Sequence, residues 1–533
     1  GGGISYIIVM GITMIITALV MMAGGVGGAY FAIKASSGFA NDLRKDLFNK
    51  IQEFSFTNID RYNTGSLITR LTNDITQIQN MLQMLLRMAL RAPGMLIGAL
   101  IMAFILNPKL AMVILCVMPL LALAIYFIIK IAFPRFQIMQ EKLDALNNTV
   151  QENLRNIRVV KSFVRERYEE DKFQKANMGL KESTIKAMKV VIFTMPIMIL
   201  AMNITTLAVL WLGGYQVIVG GMTPGVLTAF INYVVQILMS LMIVSMIILS
   251  STRSLASVKR INEVLCTDSD LTDENALHRD LTVRQGKIEF RNVYFKYYKD
   301  NEKWVLENIN LVIKPAETVG IIGSTGSGKS TLVQLIPRLY DVDQGEVLVD
   351  DVNVQDYSLK NLRNGVGIVL QKNVLFSGTI RENLKWGDEQ ASDGEIYQWA
   401  ERAQAHGFIS TFSKGYETEL GQGGVNLSGG QKQRLCIART LLKKPQILIL
   451  DDSTSAVDTA TEARIRENFK NELPETTKII IAQRISSVID ADKIIVLDDG
   501  KIAGIGTHAE LLQSCEAYSE IYYSQMDKKV TAS

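Results

Sequence analysis

Residues Gly323 to Thr331 read Gly-Ser-Thr-Gly-Ser-Gly-Lys-Ser-Thr. Gly323, Gly328, Lys329 and Ser330 occupy the fixed positions of a phosphate loop. The apolar run Val319 to Ile322 before it reads as a buried strand, and Thr331 to Arg338 after it as a helix. Such a strand, turn and helix demand an α/β core around them. Glycines let the backbone N–H groups of Ser324, Thr325, Gly326, Ser327 and Gly328 wrap a polyphosphate, and a helix N-terminus adds its positive end. Lys329 is placed to reach the β/γ-phosphates, Ser330 to bind Mg²⁺, and Thr331 to follow them into the helix. The alternative is an ordinary glycine-rich turn. The motifs that follow downstream argue against it.

The 533 residues exceed one compact domain, and 48 % of them are hydrophobic. That hydrophobicity is uneven. Apolar runs fill the first half and are rare after residue 250, which predicts a membrane half and a soluble half. Net charge is +3, and nothing in the sequence points to nucleic acid as a partner. Cys116, Cys266, Cys436 and Cys515 show no metal or redox spacing and read as reduced thiols. His278, His406 and His508 form no ligand-like cluster.

Five stretches are long enough to cross a lipid bilayer: Ile4–Phe31, Met88–Leu106, Leu110–Ile131, Val191–Val217 and Val226–Leu249. Long loops rich in Lys and Arg, Lys34 to Arg87 and Phe133 to Lys189, alternate with short ones and are assigned to the cytoplasm. Five spans then leave Gly1 outside with no signal to put it there. A sixth span before it would remove the difficulty. Leu43, Leu47, Ile51 and Phe54 recur at helical spacing, as do Leu143, Leu146, Val150 and Leu154. Amphipathic helices therefore extend the spans inward, with Asn58 to Gly65 and Leu154 to Phe163 as tips. Pro119 and Pro196 are expected to kink their spans. Met195, Met198, Met202, Met239, Met242 and Met246 make either an adaptable surface for apolar ligands or ordinary helix and lipid contacts.

The polar stretch 251–285 is read as a linker between a membrane domain over 1–250 and a soluble domain over 286–526, with a tail at 527–533. Lys287 to Tyr297 and Val305 to Ile313 alternate apolar and polar, as strands of an antiparallel lobe do. Gln446 to Asp451 and Lys478 to Ala482 are continuous and apolar, as buried parallel strands are. A polar, mainly helical insert spans Glu382 to Leu442. Ile447-Leu-Ile-Leu-Asp451 ends a strand with a carboxylate placed to hold Mg²⁺. Leu427-Ser428-Gly429-Gly430-Gln431 opens a helix and makes a second anion-binding nest. One fold cannot easily aim both nests at one phosphate chain. A second copy of the domain, packed head to tail, could.

This ordered set resembles the ATP-binding cassette (ABC) family: phosphate loop, Gln371 in Val-Leu-Gln-Lys-Asn, Leu427 to Gln431, Asp451, and Ser455-Ala-Val-Asp458. Spans preceding the cassette on one chain resemble its exporter branch, and the likeness covers nearly the whole chain. Asn58 to Asp74 and Glu152 to Glu166 are similar to that branch's coupling-helix regions. The resemblance implies an all-α transmembrane bundle followed by an α/β P-loop cassette with an antiparallel β lobe and a helical insert. It implies a multi-pass plasma-membrane protein with its cassette in the cytoplasm, ATP and Mg²⁺ as ligands, and a second half-transporter as partner. Tyr297 is then expected to stack on adenine, with Tyr298 as the alternative. Gln371 is expected to touch Mg²⁺ and the attacking water at the joint to the membrane half, and Asp458 to contact the opposite subunit.

Two departures from the family fall on one site. Asp452 stands where its active sites carry Glu, and Gln483 stands where they carry a switch His. Asp is shorter by one methylene, about 1.5 Å, and a misplacement of about 1 Å can cost roughly a hundredfold. Gln can donate a hydrogen bond to the γ-phosphate but carries no charge. The signature Ser428 to Gln431 is intact and serves the other site. A third departure, Gln422 in place of a frequent Glu, precedes the signature. The expectation is the slow-site subunit of a heterodimeric exporter for hydrophobic or amphipathic compounds of the multidrug type. A lipid flippase, or a nucleotide-gated regulator or channel subunit, is the alternative.

Overall fold

The computed structural model describes residues 3–274, 276–299, 301–452 and 456–530. The chain divides into two units. One holds residues 1–51 and 65–267, the other residues 52–64 and 268–533. The tip of the first long cytoplasmic loop thus groups with the soluble half.

The first unit is helical. Helix α1 (Ile4–Gln52) is followed by the short α2 (Phe56–Arg61), which belongs to the other unit, and α3 (Thr64–Thr69). A single π turn, Arg70–Asp74, leads into α4 (Ile75–Met88), α5 (Arg91–Leu106) and the long α6 (Pro108–Arg155). Then come α7 (Ile157–Ser162), α8 (Glu166–Val191), α9 (Thr194–Ile218) and α10 (Pro224–Leu265). Among the described residues, five helical stretches are long and apolar enough to cross a membrane. α6 starts sharply because the Asn107 side chain accepts from the Leu110 N–H and Pro108 needs no donor at the first helical position. Thr223 and Pro224 start α10 in the same way.

Small residues let these helices approach. Ala99 and Ala103, one turn apart on α5, are buried against a core containing Phe230, Val234 and Ile237 of α10. Within α1 only Ala32, Ser36, Ala40 and Leu47 are buried, a single stripe at helical spacing. Arg44 Nε donates to the Leu71 carbonyl at 3.2 Å, and Gln79 Nε2 to Ser37 Oγ at 3.2 Å. The most apolar window of α1 has none of its residues buried. Below the spans, Asp74 is buried and accepts from Ser257 Oγ (2.9 Å) and Arg260 Nε (2.8 Å), tying α4 to α10. α6 runs without interruption through Pro119 and Pro134. The helix breaks at Ile192–Phe193, where Pro196 has no N–H for the carbonyl four residues back, and Pro196 then sits in the first turn of α9.

The described residues of the second unit form twelve strands: β1 (Ile288–Phe295), β2 (Leu306–Ile313), β3 (Thr318–Gly323), β4 (Gln344–Val349), β5 (Val352–Asn353), β6 (Val366–Val369), β7 (Gly378–Thr379), β8 (Glu419–Leu420), β9 (Ile447–Asp451), β10 (Thr477–Ile481), β11 (Lys493–Asp498) and β12 (Lys501–Gly506). β2-β1-β4-β5 form an antiparallel lobe. The main sheet has the order β12-β11-β3-β10-β9-β6, parallel except for β12. Its apolar runs are buried, which suits covered parallel strands: Val319, Ile449, Ile479 and Ile495 have no exposed surface. Helices α11 (Lys329–Gln334) and α12 (Leu359–Gly365) precede the insert, which holds α13 (Ile380–Lys385), α14 (Asp393–Arg402), α15 (His406–Ile409) and α16 (Gly429–Leu442). α17 (Thr459–Glu472), α18 (His508–Ser514) and α19 (Glu516–Val530) complete the unit. The helix after the phosphate loop begins two residues earlier and ends sooner than the apolar pattern suggests. Turns take over at Leu335, and Arg338 adopts φ +50°, its guanidinium held by Asp341.

Thr477 Oγ1 joins two parts of this unit. It donates to the Gly286 carbonyl (2.8 Å) and accepts from the Ala316 N–H (3.0 Å), and Thr477 has no exposed surface. Thr477→Val leaves both backbone groups unpaired and should cost about 1–3 kcal/mol. Thermal unfolding of the purified chain should drop by several degrees, and Thr477→Ser should restore most of the loss.

Candidate nucleotide site

Parallel register decides which side chains meet. Ile481 at the end of β10 pairs with Asp451 of β9 on one side and Ile321 of β3 on the other. The residues that leave these strand ends, Gly323, Asp452 and Gln483, therefore emerge side by side.

Gly323 is required by contact. A Cβ there would lie 2.1 Å from the Leu497 carbonyl oxygen. Gly328 has φ +93°, and a Cβ there would meet Leu306 at 2.8 Å. Lys329 Nζ donates to the carbonyls of Gly323 (2.9 Å) and Ser324 (2.6 Å), so it lies folded over the loop. Burial pulls the Lys329 ammonium down from its usual range, opposed by Asp451 and Asp452. Ser330 Oγ donates to Asp451 Oδ1 at 2.9 Å. Burial raises the Asp451 carboxyl, offset in part by that hydrogen bond. Ser327 Oγ is buried within the loop without a partner, while Thr325 and Gly326 form its exposed crest.

This set suits a polyphosphate and its metal. The glycines leave a cradle that side chains would fill, a buried hydroxyl lacks a partner, and a lysine binds only carbonyls that a phosphate can replace. The hydroxyl of Ser330 and the carboxylate of Asp451 are hard oxygen donors, as Mg²⁺ prefers. The metal neutralises charge on the phosphates, with Gln371 as a third candidate oxygen ligand.

Asp452 sits beside them in the left-handed region at φ +47°. Its N–H donates to the Ile481 carbonyl at 3.1 Å. Gln483 Nε2 donates to Asp452 Oδ2 at 2.8 Å, and Gln371 also hydrogen-bonds the carboxylate. The two amides expected at the γ-phosphate and the attacking water, Gln483 and Gln371, thus both hold the Asp452 carboxylate. Burial raises the Asp452 carboxyl, while the two amides and the cations Lys329 and Arg484 work against that rise.

The signature residues gather elsewhere. Ser428 Oγ accepts from the Gln431 N–H (3.3 Å), and Gln431 Oε1 accepts from the Ser428 N–H (2.9 Å). This capping box fixes the start of α16 and leaves the Gly429 and Gly430 N–H groups at its positive end. Among the described residues, none of Ser428, Gly429, Gly430 and Gln431 bonds to the phosphate loop. Asp458 caps α17 through the Thr461 N–H at 2.9 Å. Ser455 lies outside the described residues. Gln422 opens a short 3-10 turn, Gln422–Gly424, before the signature.

Tyr297 does not present a free face. Its hydroxyl bonds Thr331 Oγ1 at 2.9 Å, and its ring packs edge-on against Phe295 and Tyr340. Tyr298 is 59 % exposed. Sequence reasoning missed Tyr340, which belongs to no motif and reaches the site only through tertiary packing.

Residues 3–241 match the family described as the ABC transporter transmembrane region, and residues 306–455 match the ABC transporter family itself. This chain belongs to the ABC transporter family. It is similar to "Uncharacterized ABC transporter ATP-binding protein YfiB" of Bacillus subtilis, 42 % identical over 98 % of this chain and 90 % of that protein. "Putative multidrug export ATP-binding/permease protein YgaD" of the same organism is 36 % identical over 93 % of this chain and 85 % of its own length. Among solved structures, a bacterial Atm1-family ABC exporter with ATP bound superposes with a TM-score of 0.84 at 27 % identity. That likeness covers 98 % of this chain and 92 % of the other. The ABC exporter fold, a helical membrane region followed by a cassette, is therefore that of this chain, a multi-pass membrane protein.

If Asp451 holds the metal, Asp451→Asn should weaken ATP binding about tenfold or more in Mg²⁺ and change it little in EDTA. Titration with trinitrophenyl-ATP in both buffers checks this.

Proposed function

We propose that this chain is one half of a heterodimeric ABC exporter, and that its own ATP site turns over slowly. The observation that carries the reading is the Gln483–Asp452 hydrogen bond. The acid beside the nucleotide is one methylene short of the family's Glu. It also accepts hydrogen bonds from two amides, Gln483 and Gln371. A carboxylate so satisfied is a weaker acceptor for a water proton, and it stands farther from where that water must sit. Gln483 donates one neutral hydrogen bond where a protonated imidazole would add charge against the γ-phosphate. Binding needs neither residue, so the phosphate loop would still hold ATP.

The intact cap of α16 supports a role in trans. Gly429, Gly430 and the Ser428 hydroxyl would face a nucleotide on the other subunit's phosphate loop, with Asp458 at the same junction. ATP at both sites would close the cassette pair, and hydrolysis at the partner's site would reopen it. Closure is driven by the tighter hold of ATP on the closed form. Adenine would stack on the exposed Tyr298, or on Tyr297 once its ring leaves Tyr340. The second loop tip has exposed apolar side chains, Phe163 and Val164 among them, as a surface meant for a partner's cassette would.

The cargo is proposed to be hydrophobic or amphipathic, of the multidrug type. Support comes from apolar, methionine-rich spans without ionised residues at their centres, and from the multidrug-export name borne by a relative.

The test is ATPase activity of the chain purified alone and then mixed with the cassette subunit encoded beside it. Little activity alone and strong activity together is expected. Asp452→Glu with Gln483→His should raise the rate of the chain's own site by roughly ten- to a hundredfold. It should be read in a mixture whose partner carries Gln for its catalytic Glu. Brisk activity of the unmodified chain alone would put the homodimer in its place.

A further inference from the structure

The last helix, α19, reaches the nucleotide site from outside every motif. Tyr518, Ile521, Tyr522 and Gln525 share one of its faces, at i, i+3, i+4 and i+7 spacing. The first three pack on a core that holds Ile322, Ala482, Ile485, Ile494 and Val496. Tyr518 has no exposed surface, and its hydroxyl pairs with His508 Nδ1 at 2.8 Å. The face therefore lies fixed over the ends of β3, β10 and β11. Gln525 is its polar member and is half-buried.

The Gln525 amide makes two bonds to one short piece of backbone. Its Nε2 donates to the Gln483 carbonyl at 2.8 Å, and its Oε1 accepts from the Ile485 N–H at 3.0 Å. Arg484 between them is extended, with φ −101° and ψ 129°. In an extended link that carbonyl and that N–H point to the same side, and one residue of a parallel strand would take both. The pairing of β10 with β3 ends at the Ala482 N–H, which donates to the Ile321 carbonyl at 3.2 Å. Gln525 thus continues, with a side chain, the support that the sheet stops giving. Turning the amide over would set donor against donor and acceptor against acceptor, so the loop fixes its orientation.

The rest of the turn has other support. Ile485 and Val488 are buried, and the Ser487 N–H donates to the Arg484 carbonyl at 3.1 Å. Arg466 Nη1 of α17 donates to the Ser486 carbonyl at 2.9 Å. The turn can therefore keep its fold without Gln525. What Gln525 adds is a grip on the backbone of Gln483, whose side chain donates to Asp452.

We propose that Gln525 is a positioning residue that fixes the main chain of Gln483, so that the Gln483 amide stays beside Asp452. The proposal rests on the reading of Gln483 as the donor at the slow site. The Gln483 amide nitrogen carries a second proton that can go to a bound nucleotide. A long side chain magnifies a small rotation of its backbone, and a misplacement of about 1 Å can cost roughly a hundredfold in rate. The phosphate loop holds its ligand without Gln483, so Gln525 acts on turnover and not on affinity.

Single-turnover hydrolysis of radiolabelled ATP by the assembled transporter tests this, with Gln replacing the partner's catalytic Glu so that only this chain's site reacts. Gln525→Met keeps the length of the side chain and removes both bonds. It should lower the rate about tenfold and leave the Kd for ATP within about twofold. Gln525→Glu keeps the acceptor for Ile485 but sets a carboxylate against the Gln483 carbonyl, and should lose as much. Gln483→Ala alone should also slow the site about tenfold. Adding Gln525→Met to Gln483→Ala should then change the rate by less than about twofold, because the group it positions is gone. A merely structural role would cost the same with or without the Gln483 side chain. An unchanged rate in Gln525→Met, or a loss that persists in the Gln483→Ala background, overturns the proposal. An unchanged rate in Gln483→Ala alone overturns the role of Gln483 beneath it, and the proposal with it.

Discussion

The parallel pairing of β10 with both β9 and β3 is the constraint on which the rest depends. It sets the ends of three buried strands in one row, with Ile481 between Asp451 and Ile321. Everything chemical leaves from that row. The phosphate loop departs from β3, the Asp451 carboxylate ends β9, and Gln483 follows β10. None of these groups would be rigid if the strands were not covered on both faces. Their apolar side chains are almost wholly buried, and each contributes about 1.5–3 kcal/mol to keeping the row in register. A slip of one residue would swap the two faces of each strand and separate Ser330 from Asp451.

The same row brings Asp452 and Gln483 together. Asp452 and Gln483 are 31 residues apart in sequence and 2.8 Å apart in space. A shorter acid and an uncharged donor have settled on each other. The signature helix is untouched by this change, since its cap is closed by its own residues, Ser428 and Gln431. On the reading proposed above, a slow site beside a sound signature suits a different partner better than a copy of this chain.

Much of this was legible in the sequence because the chemistry is local. A phosphate loop, a strand ending in Asp, and a serine with two glycines before a helix each fit in a few consecutive residues. The antiparallel lobe and parallel core were legible from their alternating and continuous apolar runs. Other features were hidden because they depend on packing between distant segments. Tyr340 lies in no motif, and its partner Asp60 is 280 positions away. The direction of the Tyr297 ring is set by Thr331 and Tyr340, not by its neighbours in sequence.

The claim that the two composite sites differ is tested most directly by vanadate trapping in the assembled pair, using a photoreactive azido-ATP analogue. Trapped diphosphate should be found on the partner's phosphate loop. This chain's loop should hold the analogue as triphosphate. Equal trapping of diphosphate on both chains would contradict the account.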